Sequence, residues 1–257
     1  MKLFRREGRS AEIPLPPADL MFEIGASRVE EYTDIGNEFM GYFVELASLT
    51  PDSDVLDVGC GVGRMALPLT RFLSRRGSYR GFDTWGRSID WCKENIQSRF
   101  RNFRFDLVDI YSKRYNPGGS VKASEFVFPY ADDSFDFAAL TSVFTHMLPS
   151  DLQRYLGELA RVLRPGGRCL ITYFLLNQES LAAHDRGETI LRFPVEKQGY
   201  RLANEEIPEE AIAYDETFVT AAHISASLPI QEPIYFGEWT GRKEFLSGQD
   251  IVIAKRT

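Results

Sequence analysis

Three glycines at alternate positions, Gly59, Gly61 and Gly63, follow the acid-bearing apolar run Val55-Leu56-Asp57-Val58. A helical pattern from Met65 to Leu73 comes next. The order predicts a buried parallel strand, a tight glycine turn and a helix N-terminus. Glycine has no Cβ and tolerates positive φ, so such a turn brings backbone close to a ligand. Asp57 can orient the turn or receive an amine of that ligand. Asp83 ends the next apolar run, Tyr79–Phe82. An acid about 20 residues beyond a glycine turn is placed to accept hydrogen bonds from both hydroxyls of a ribose.

Dinucleotide-binding turns, G-x-G-x-x-G, share this much. Here Arg64 stands where the third glycine of that pattern would be, and that glycine is what lets helix and strand pack closely. A Tyr-x-x-x-Lys proton relay is also missing from the sequence. The turn therefore fits a hydride-transferring oxidoreductase poorly.

Two later segments decide between the readings. Phe128-Pro129-Tyr130-Ala131-Asp132-Asp133-Ser134-Phe135-Asp136 precedes and opens an apolar run, and Glu158-Leu159-Ala160-Arg161-Val162-Leu163-Arg164-Pro165-Gly166-Gly167 follows it. With the glycine turn, they resemble in order the D-x-G-x-G-x-G, L-P-F-x-D-x-S-F-D and E-x-x-R-V-L-K-P-G-G elements of the class I S-adenosylmethionine-dependent methyltransferases of small-molecule type. The resemblance runs from Asp54 to about Phe174. It implies an α/β Rossmann-like fold: a seven-stranded, mostly parallel sheet with helices on both faces and an antiparallel C-terminal hairpin.

The same resemblance implies S-adenosyl-L-methionine as cofactor and S-adenosyl-L-homocysteine as product. Asp57, Gly59, Cys60, Gly61 and Gly63 would form the cofactor-binding turn, with Asp83 on the ribose and Thr84 and Trp85 beside the adenosine. Asp109 and Ile110 would receive the adenine, with Glu125 and Phe126 the alternative because an inserted stretch separates the two pairs. Ser142 and Val143, after the fourth strand, would lie where the sulfonium methyl sits. His146 is near enough to serve as general base for an acceptor hydroxyl, since its ordinary pKa near ~6.5 suits neutral pH. The alternative is a histidine that only shapes the pocket. Tyr173 and Asn177 are candidates to border the acceptor, whereas His184, beside Asp185, and His223 lie in or after a variable segment. No metal-ligand spacing occurs among these residues.

The elements that must position these groups alternate strand and helix, which implies right-handed parallel crossovers. Strands are predicted at Val55–Val58, Tyr79–Phe82, Phe103–Val108, Phe135–Leu140 and Cys169–Phe174. Helices are predicted at Met65–Arg75, Ser88–Arg99 and Asp151–Leu163, with a turn at residues 164–167. Ile230–Phe236 and Ile251–Ala254 would form the closing hairpin. Before the core, residues 1–20 read as a proline-punctuated arm, and Ser27–Leu49 as a lid helix carrying Tyr32, Ile35, Phe39, Tyr42, Phe43 and Leu46 near one face. This gives an arm and lid over residues 1–50, a core over 51–177 and 215–257, and an inserted substrate cover over 178–214. A second inserted loop spans Tyr111–Ser124.

Composition bounds the partners. The 257 residues carry a net charge of −7, which disfavours a nucleic-acid substrate because phosphate neutralisation needs a basic face. The three cysteines, Cys60, Cys92 and Cys169, are scattered, as in a reducing cytoplasm. Lys2, Arg5 and Arg6 precede no apolar signal region, and no run nears the ~20 apolar residues that span a bilayer. The expected reaction is in-line transfer of a methyl group to a small-molecule hydroxyl, of a sugar or secondary metabolite. An amine acceptor and a non-catalytic S-adenosylmethionine-binding module are the alternatives. The sequence leaves the oligomeric state open.

Overall fold

A computed structural model describes residues 13–257, so the first twelve residues of the expected arm, with Lys2, Arg5 and Arg6, lie outside the described residues. The chain divides into two compact units, Met1–Val108 and Asp109–Thr257.

The first unit opens with α1 (Ala18–Glu23), where the arm was expected to be extended, and α2 (Val29–Glu45). Tyr32, Gly36, Phe39 and Phe43 recur at three- and four-residue spacing and are the buried face of α2. Its N-terminus is tied down by Glu31, whose carboxylate accepts both the N–H and the hydroxyl of Ser27. Then come β1 (Asp54–Val58), α3 (Ala66–Phe72), β2 (Ser78–Asp83), α4 (Gly86–Cys92) and β3 (Phe103–Leu107). β1 pairs with β2 and β2 with β3, both parallel.

Two helices are shorter than the pattern predicts. α3 stops at Phe72 because the Ser74 N–H is taken by Pro51 O at 2.7 Å. The run expected as one helix over Ser88–Arg99 ends as α4 and continues as a π-helical turn, Lys93–Gln97. That wider turn buries Ile96 against Gly63 and leaves Gln97 Oε1 to accept the Phe105 N–H of β3 at 3.0 Å. β3 ends the sheet, where an unpaired N–H would otherwise face solvent.

The second unit contains β4 (Phe135–Leu140), α5 (Pro149–Val162), β5 (Leu163–Tyr173) and the short β6 (Leu175–Leu176). The turn expected at residues 164–167 is an irregularity inside β5. While β4 advances from Phe135 to Phe137, its partner advances from Leu163 to Arg168. The excess is accommodated at Gly166, whose φ is +81°.

The segment expected to be an irregular cover is folded. It contains α6 (Gln178–Asp185), β7 (Val195–Lys197), β8 (Tyr200–Leu202) and β9 (Ile212–Asp215). These strands form a sheet ordered β6-β9-β8-β7. Phe174, Leu176, Phe193, Ala213 and Trp239 pack as its core. Scattered apolar residues among many glutamates hid this short-stranded sheet from periodicity analysis. The unit closes with α7 (Glu216–Ser225), β10 (Ile230–Tyr235) and β11 (Asp250–Lys255). β10 and β11 are the predicted antiparallel hairpin. The main sheet has seven strands ordered β10-β11-β5-β4-β1-β2-β3, the doubly wound α/β architecture the sequence implies.

The later sequence elements are joined by one clamp. On α5, Glu158 and Arg161 stand three residues apart and therefore on one face. Glu158 Oε2 accepts the Phe128 N–H at 2.8 Å and Arg161 Nη2 at 2.6 Å. Arg161 also donates to Phe128 O, Tyr130 O and Asp132. The E-x-x-R element thus holds the F-P-Y-A-D segment that leads into β4.

His223 is fully buried in α7, not at a site. Its Nδ1 faces Leu228 O at 2.9 Å, which can only accept, so Nδ1 carries the proton and Nε2 accepts from the Tyr173 hydroxyl at 2.8 Å. Tyr173 is therefore a core partner of His223, which removes it from the acceptor candidates. Asn177 is likewise engaged: it caps α6 by accepting the Glu179 and Ser180 N–H groups. His184 and Asp185 stand 3.8 Å apart with Asp185 largely exposed, and form no catalytic pair.

Two stability measurements follow. Burial lowers the His223 pKa to about 4, so the unfolded ring takes up a proton more readily than the folded one. Its contribution is full above the ordinary histidine range and is lost as pH falls through about 4. In urea unfolding, His223→Leu should cost about 2 kcal/mol less at pH 5 than at pH 7.5. Arg161→Ala leaves the buried Glu158 carboxylate with Arg154 Nη2, at 3.2 Å from Oε1, as its remaining cation and frees three backbone and side-chain acceptors, and should destabilise by about 2 kcal/mol. Arg161→Ala combined with Glu158→Gln should recover part of that loss.

Candidate functional site

In the first unit the glycine turn hangs from the end of β2. Phe82 O accepts the N–H of Gly59 at 2.9 Å and of Cys60 at 3.1 Å. Asp83 Oδ2 accepts the Gly61 N–H at 2.8 Å, and Asp83 Oδ1 accepts the Trp85 N–H at 2.9 Å. The Gly63 N–H closes the turn on Cys60 O at 3.0 Å. Gly61 and Gly63 have φ of +51° and +76°, which a side chain would strain.

This engagement decides what the turn can bind. A pyrophosphate is held by free backbone N–H groups, and four of the turn's amides already have partners. What remains are carbonyls and carboxylates, which suit hydroxyls and cationic groups. Each Asp83 oxygen uses one lone pair on backbone and keeps capacity to accept a further hydroxyl.

Asp57 sits at the foot of the turn with 1 % of its surface exposed. Its Oδ2 accepts the Tyr79 hydroxyl at 2.7 Å, and its Oδ1 is buried without a partner. Gly81 makes this possible: Tyr79 and Gly81 lie on one face of β2, and a Cβ on Gly81 would stand 2.8 Å from the Tyr79 hydroxyl and 2.9 Å from Cys60 Cβ. Burial pushes the Asp57 carboxyl up to about 7, against the Tyr79 hydrogen bond that lowers it. Burial also raises Asp83.

α1 and α2 close over the turn. The Tyr32 hydroxyl donates to Val62 O at 3.0 Å. Gly36 lies so near the turn that a Cβ there would be 2.7 Å from Arg64 O. Ile24 Cγ2 stands 3.1 Å from where a Cβ on Gly61 would lie. Cys60 and Cys92 are buried with both thiols directed at Gly61 O, and burial raises both. Thr84 and Trp85 are partly buried between β2 and α4.

In the second unit, β4 ends at a strained corner. Ser142 has φ of +57°; its N–H donates to Thr172 Oγ1 at 2.7 Å and its hydroxyl to Gln249 Oε1 at 3.1 Å. Left-handed backbone at a non-glycine residue persists only where neighbours enforce it, and such corners cluster at functional sites. Val143 leads into a short 3-10 turn, Phe144–His146. His146 Nδ1 faces Glu209 O at 3.0 Å, and the Tyr115 ring packs edge-on at 5.6 Å. A carbonyl only accepts, so Nδ1 bears the proton and the neutral ring keeps its lone pair on Nε2. Burial lowers the His146 pKa, which favours that neutral form.

Both inserted stretches reach this histidine. Tyr115 comes from the 111–124 loop and Glu209 from the expected cover. Lys113 and Arg114 tie the two together through Glu206 O and Glu210 O. Of the adenine candidates, Ile110 is buried, while Asp109 is exposed and accepts from the Ser120 hydroxyl. Glu125 pairs with Lys122, and the Phe126 ring packs at a tilt against Phe128 and Tyr155.

Residues 56–171 match the family model described as a methyltransferase domain. Over this stretch the chain is similar to class I S-adenosylmethionine-dependent methyltransferases. Methyltransferase GfsG of Streptomyces halstedii is 30 % identical over 147 residues, 56 % of this chain and 46 % of that protein. The ubiquinone/menaquinone biosynthesis C-methyltransferase UbiE of Geotalea daltonii is 29 % identical over 140 residues, 54 % of this chain and 53 % of that one. The chain spans about half the length of these curated relatives. A solved structure of SAM-dependent methyltransferases from Methanosarcina mazei superposes with a TM-score of 0.52 at 25 % identity, over 81 % of this chain and 94 % of that one.

The residues present fit the cofactor of this methyltransferase domain. Asp57 Oδ1 is a buried acceptor lacking a donor, which an ammonium supplies, and Asp83 retains acceptor capacity for ribose hydroxyls. Nothing in the sequence marks Thr172, Gln249 or Glu209 as neighbours of this site. Gln249 and Glu209 act through distant chain contacts, and no local pattern marks them. Arg64 did carry a signal: a charged residue stands where close packing would favour a glycine.

An ammonium binding at Asp57 stabilises the carboxylate, so affinity should rise as the carboxyl deprotonates. By titration calorimetry, S-adenosylhomocysteine should bind about tenfold more tightly at pH 8 than at pH 6. Asp57→Asn should weaken binding and flatten that dependence.

Proposed function

We propose that this chain transfers a methyl group to a hydroxyl of a small molecule, a sugar or secondary metabolite, with His146 as general base. The observation that carries this reading is the fixed tautomer of His146, whose Nε2 lone pair is the acceptor end of a neutral ring. In this reading Asp57, Gly59, Cys60, Gly61, Gly63, Asp83, Thr84 and Trp85 form the cofactor side. Ser142 and Val143 serve the methionine end, and Ile110 serves the adenine. Residues 1–50 act as arm and lid, and 178–214 as acceptor cover.

When bound, S-adenosylmethionine supplies a methyl group already activated on a sulfonium. The protein's task is then alignment and proton removal. Alignment of two bound reactants can account for ~7–11 kcal/mol of barrier. His146 Nε2 takes the acceptor's hydroxyl proton as the new bond forms, and the Glu209 carbonyl stabilises the ring by holding Nδ1–H. Tyr115 limits ring rotation and, with the 203–211 stretch, keeps water from the proton path.

A second reading rests on the named function of the Geotalea relative, a C-methyltransferase. Transfer to a carbon activated by a neighbouring hydroxyl would use the same base.

The test is transfer of a carbon-13 methyl group from S-adenosylmethionine to a panel of hydroxylated, aminated and quinol acceptors. The methyl carbon shift of the product separates oxygen, nitrogen and carbon acceptors. With an oxygen acceptor, His146→Gln should lower kcat by about 10²- to 10⁴-fold while leaving S-adenosylhomocysteine affinity unchanged. Undiminished turnover in His146→Gln would leave the histidine as pocket wall. The wild-type rate should stay on its plateau to a pH below the ordinary histidine range, because the ring's pKa is lowered.

A further inference from the structure

Lys113 and Arg114 are the cations in the second unit to which the proposed reaction gives no task. They precede Tyr115 in the 111–124 stretch, and both are exposed. Lys113 Nζ donates to Glu206 O at 2.5 Å and Arg114 Nη1 to Glu210 O at 3.3 Å. These partners are peptide oxygens, so neither charge is neutralised by them. Other cations of the same unit take carboxylates: Lys122 pairs with Glu125, Lys197 with Glu205 at 2.7 Å and Arg201 with Glu196 at 3.3 Å. Glu206, Glu209 and Glu210 lie beside Lys113 and Arg114 as well, yet two of these carboxylates are engaged elsewhere. Glu209 Oε1 accepts the Lys113 backbone N–H at 3.3 Å, and Glu210 Oε2 accepts from Asn204 Nδ2 at 2.7 Å. Among the described residues no carboxylate stands within ion-pair distance of Lys113 Nζ or of the Arg114 guanidinium.

Their place points at the acceptor. The Arg114 guanidinium lies over the Tyr115 ring, 5.2 Å from its centroid, and the Tyr115 ring meets the His146 ring edge-on with centroids 5.6 Å apart. Guanidinium, phenol ring and imidazole thus form a run that begins at an exposed charge and ends at the enclosed base. Tyr115 is 40 % exposed, so the run opens to solvent. Burial and then the Arg114 charge lower the His146 pKa, which shows that the field of this cation reaches the ring. A guanidinium has five N–H donors and an ammonium three, and each spends one here on a carbonyl. The remaining donors suit the oxygens of an anion, which arginine holds in a fork and lysine as a point charge. In a chain of net charge −7, two cations without ion pairs beside the base favour an acidic visitor at this place.

We infer that Lys113 and Arg114 bind an anionic oxygen group of the acceptor, a carboxylate or a phosphate, while its hydroxyl lies at His146. This rests on the reading of His146 as the acceptor's base and names the class of acceptor it serves: an acidic small molecule such as a sugar acid, a sugar phosphate or a hydroxylated carboxylic acid. The two cations are binding residues; neither moves a proton.

The test is methyl transfer by the full chain to matched acceptors: glucuronate and glucose 6-phosphate against glucose, and 3,4-dihydroxybenzoate against its amide. Wild type should show a kcat/KM about 10- to 100-fold higher for the acidic member, the size of one charge-assisted contact. That preference should shrink between about 50 and about 500 mM potassium chloride, because an exposed contact is screened. The glucuronate and glucose 6-phosphate arms separate carboxylate from phosphate. Lys113→Gln with Arg114→Gln should bring the ratio close to one, through a higher KM for the acidic member, and Arg114→Glu should invert it. Equal losses on both members would make the two cations a clasp for the cover and overturn the inference. So would a wild type that methylates the neutral member as readily, a result that needs no variant to fold. A wild type that methylates no member of any pair would overturn the acceptor reading along with it.

Discussion

The end of β2 holds the glycine turn, and the remaining geometry of the first unit depends on that attachment. Phe82 O takes two amides of the turn and Asp83 takes a third. These bonds fix the backbone at Gly61 in a conformation only glycine adopts easily, and they convert the turn from a donor surface into an acceptor surface. Nearby groups then follow as consequences. Gly81 is bare so that Tyr79 can reach Asp57, and Gly36 is bare so that α2 can lie against the turn. A turn of the same sequence with free amides would favour phosphate instead.

The second unit solves a different problem, that of holding irregular chain in place. The clamp of Glu158 and Arg161 fastens the segment before β4, and Thr172 with Gln249 enforces the corner after it. A buried carboxylate is tolerable at Glu158 because a guanidinium and a backbone N–H both reach it. The sequence elements that most clearly mark the family are thus largely packing devices, while the groups suited to chemistry stand beside them. His146 is the case in point. Its value as a base depends on a carbonyl 63 residues later in the chain.

Much was legible from the sequence, for reasons of periodicity. The strands of the main sheet are runs of β-branched and aromatic residues long enough to identify, and glycine and proline mark their ends. Asp57, Gly61, Gly63 and Asp83 were identifiable because strand, turn and acid occur at fixed offsets along the chain. Boundaries failed where a distant partner captured the backbone: Pro51 at the end of α3, Gln97 in the π-turn, Arg256 O at the kink in β5. The inserted sheet was missed because its strands are too short to show alternation. Tyr173 does end β5, whereas Asn177 lies beyond β6, and their partners are His223 and the α6 backbone.

By itself the sequence determined the class of fold, the order of its elements and the acids at its turns. These are properties of short stretches, where spacing alone sets which face a residue occupies. Only the tertiary structure decided which polar atoms are satisfied and which are not. It closed the turn's amides, left Asp57 Oδ1 and Arg64 Nε without partners, and set the tautomer of His146. Those outcomes depend on hydrogen bonds between residues far apart in the chain, whose geometry no local pattern encodes.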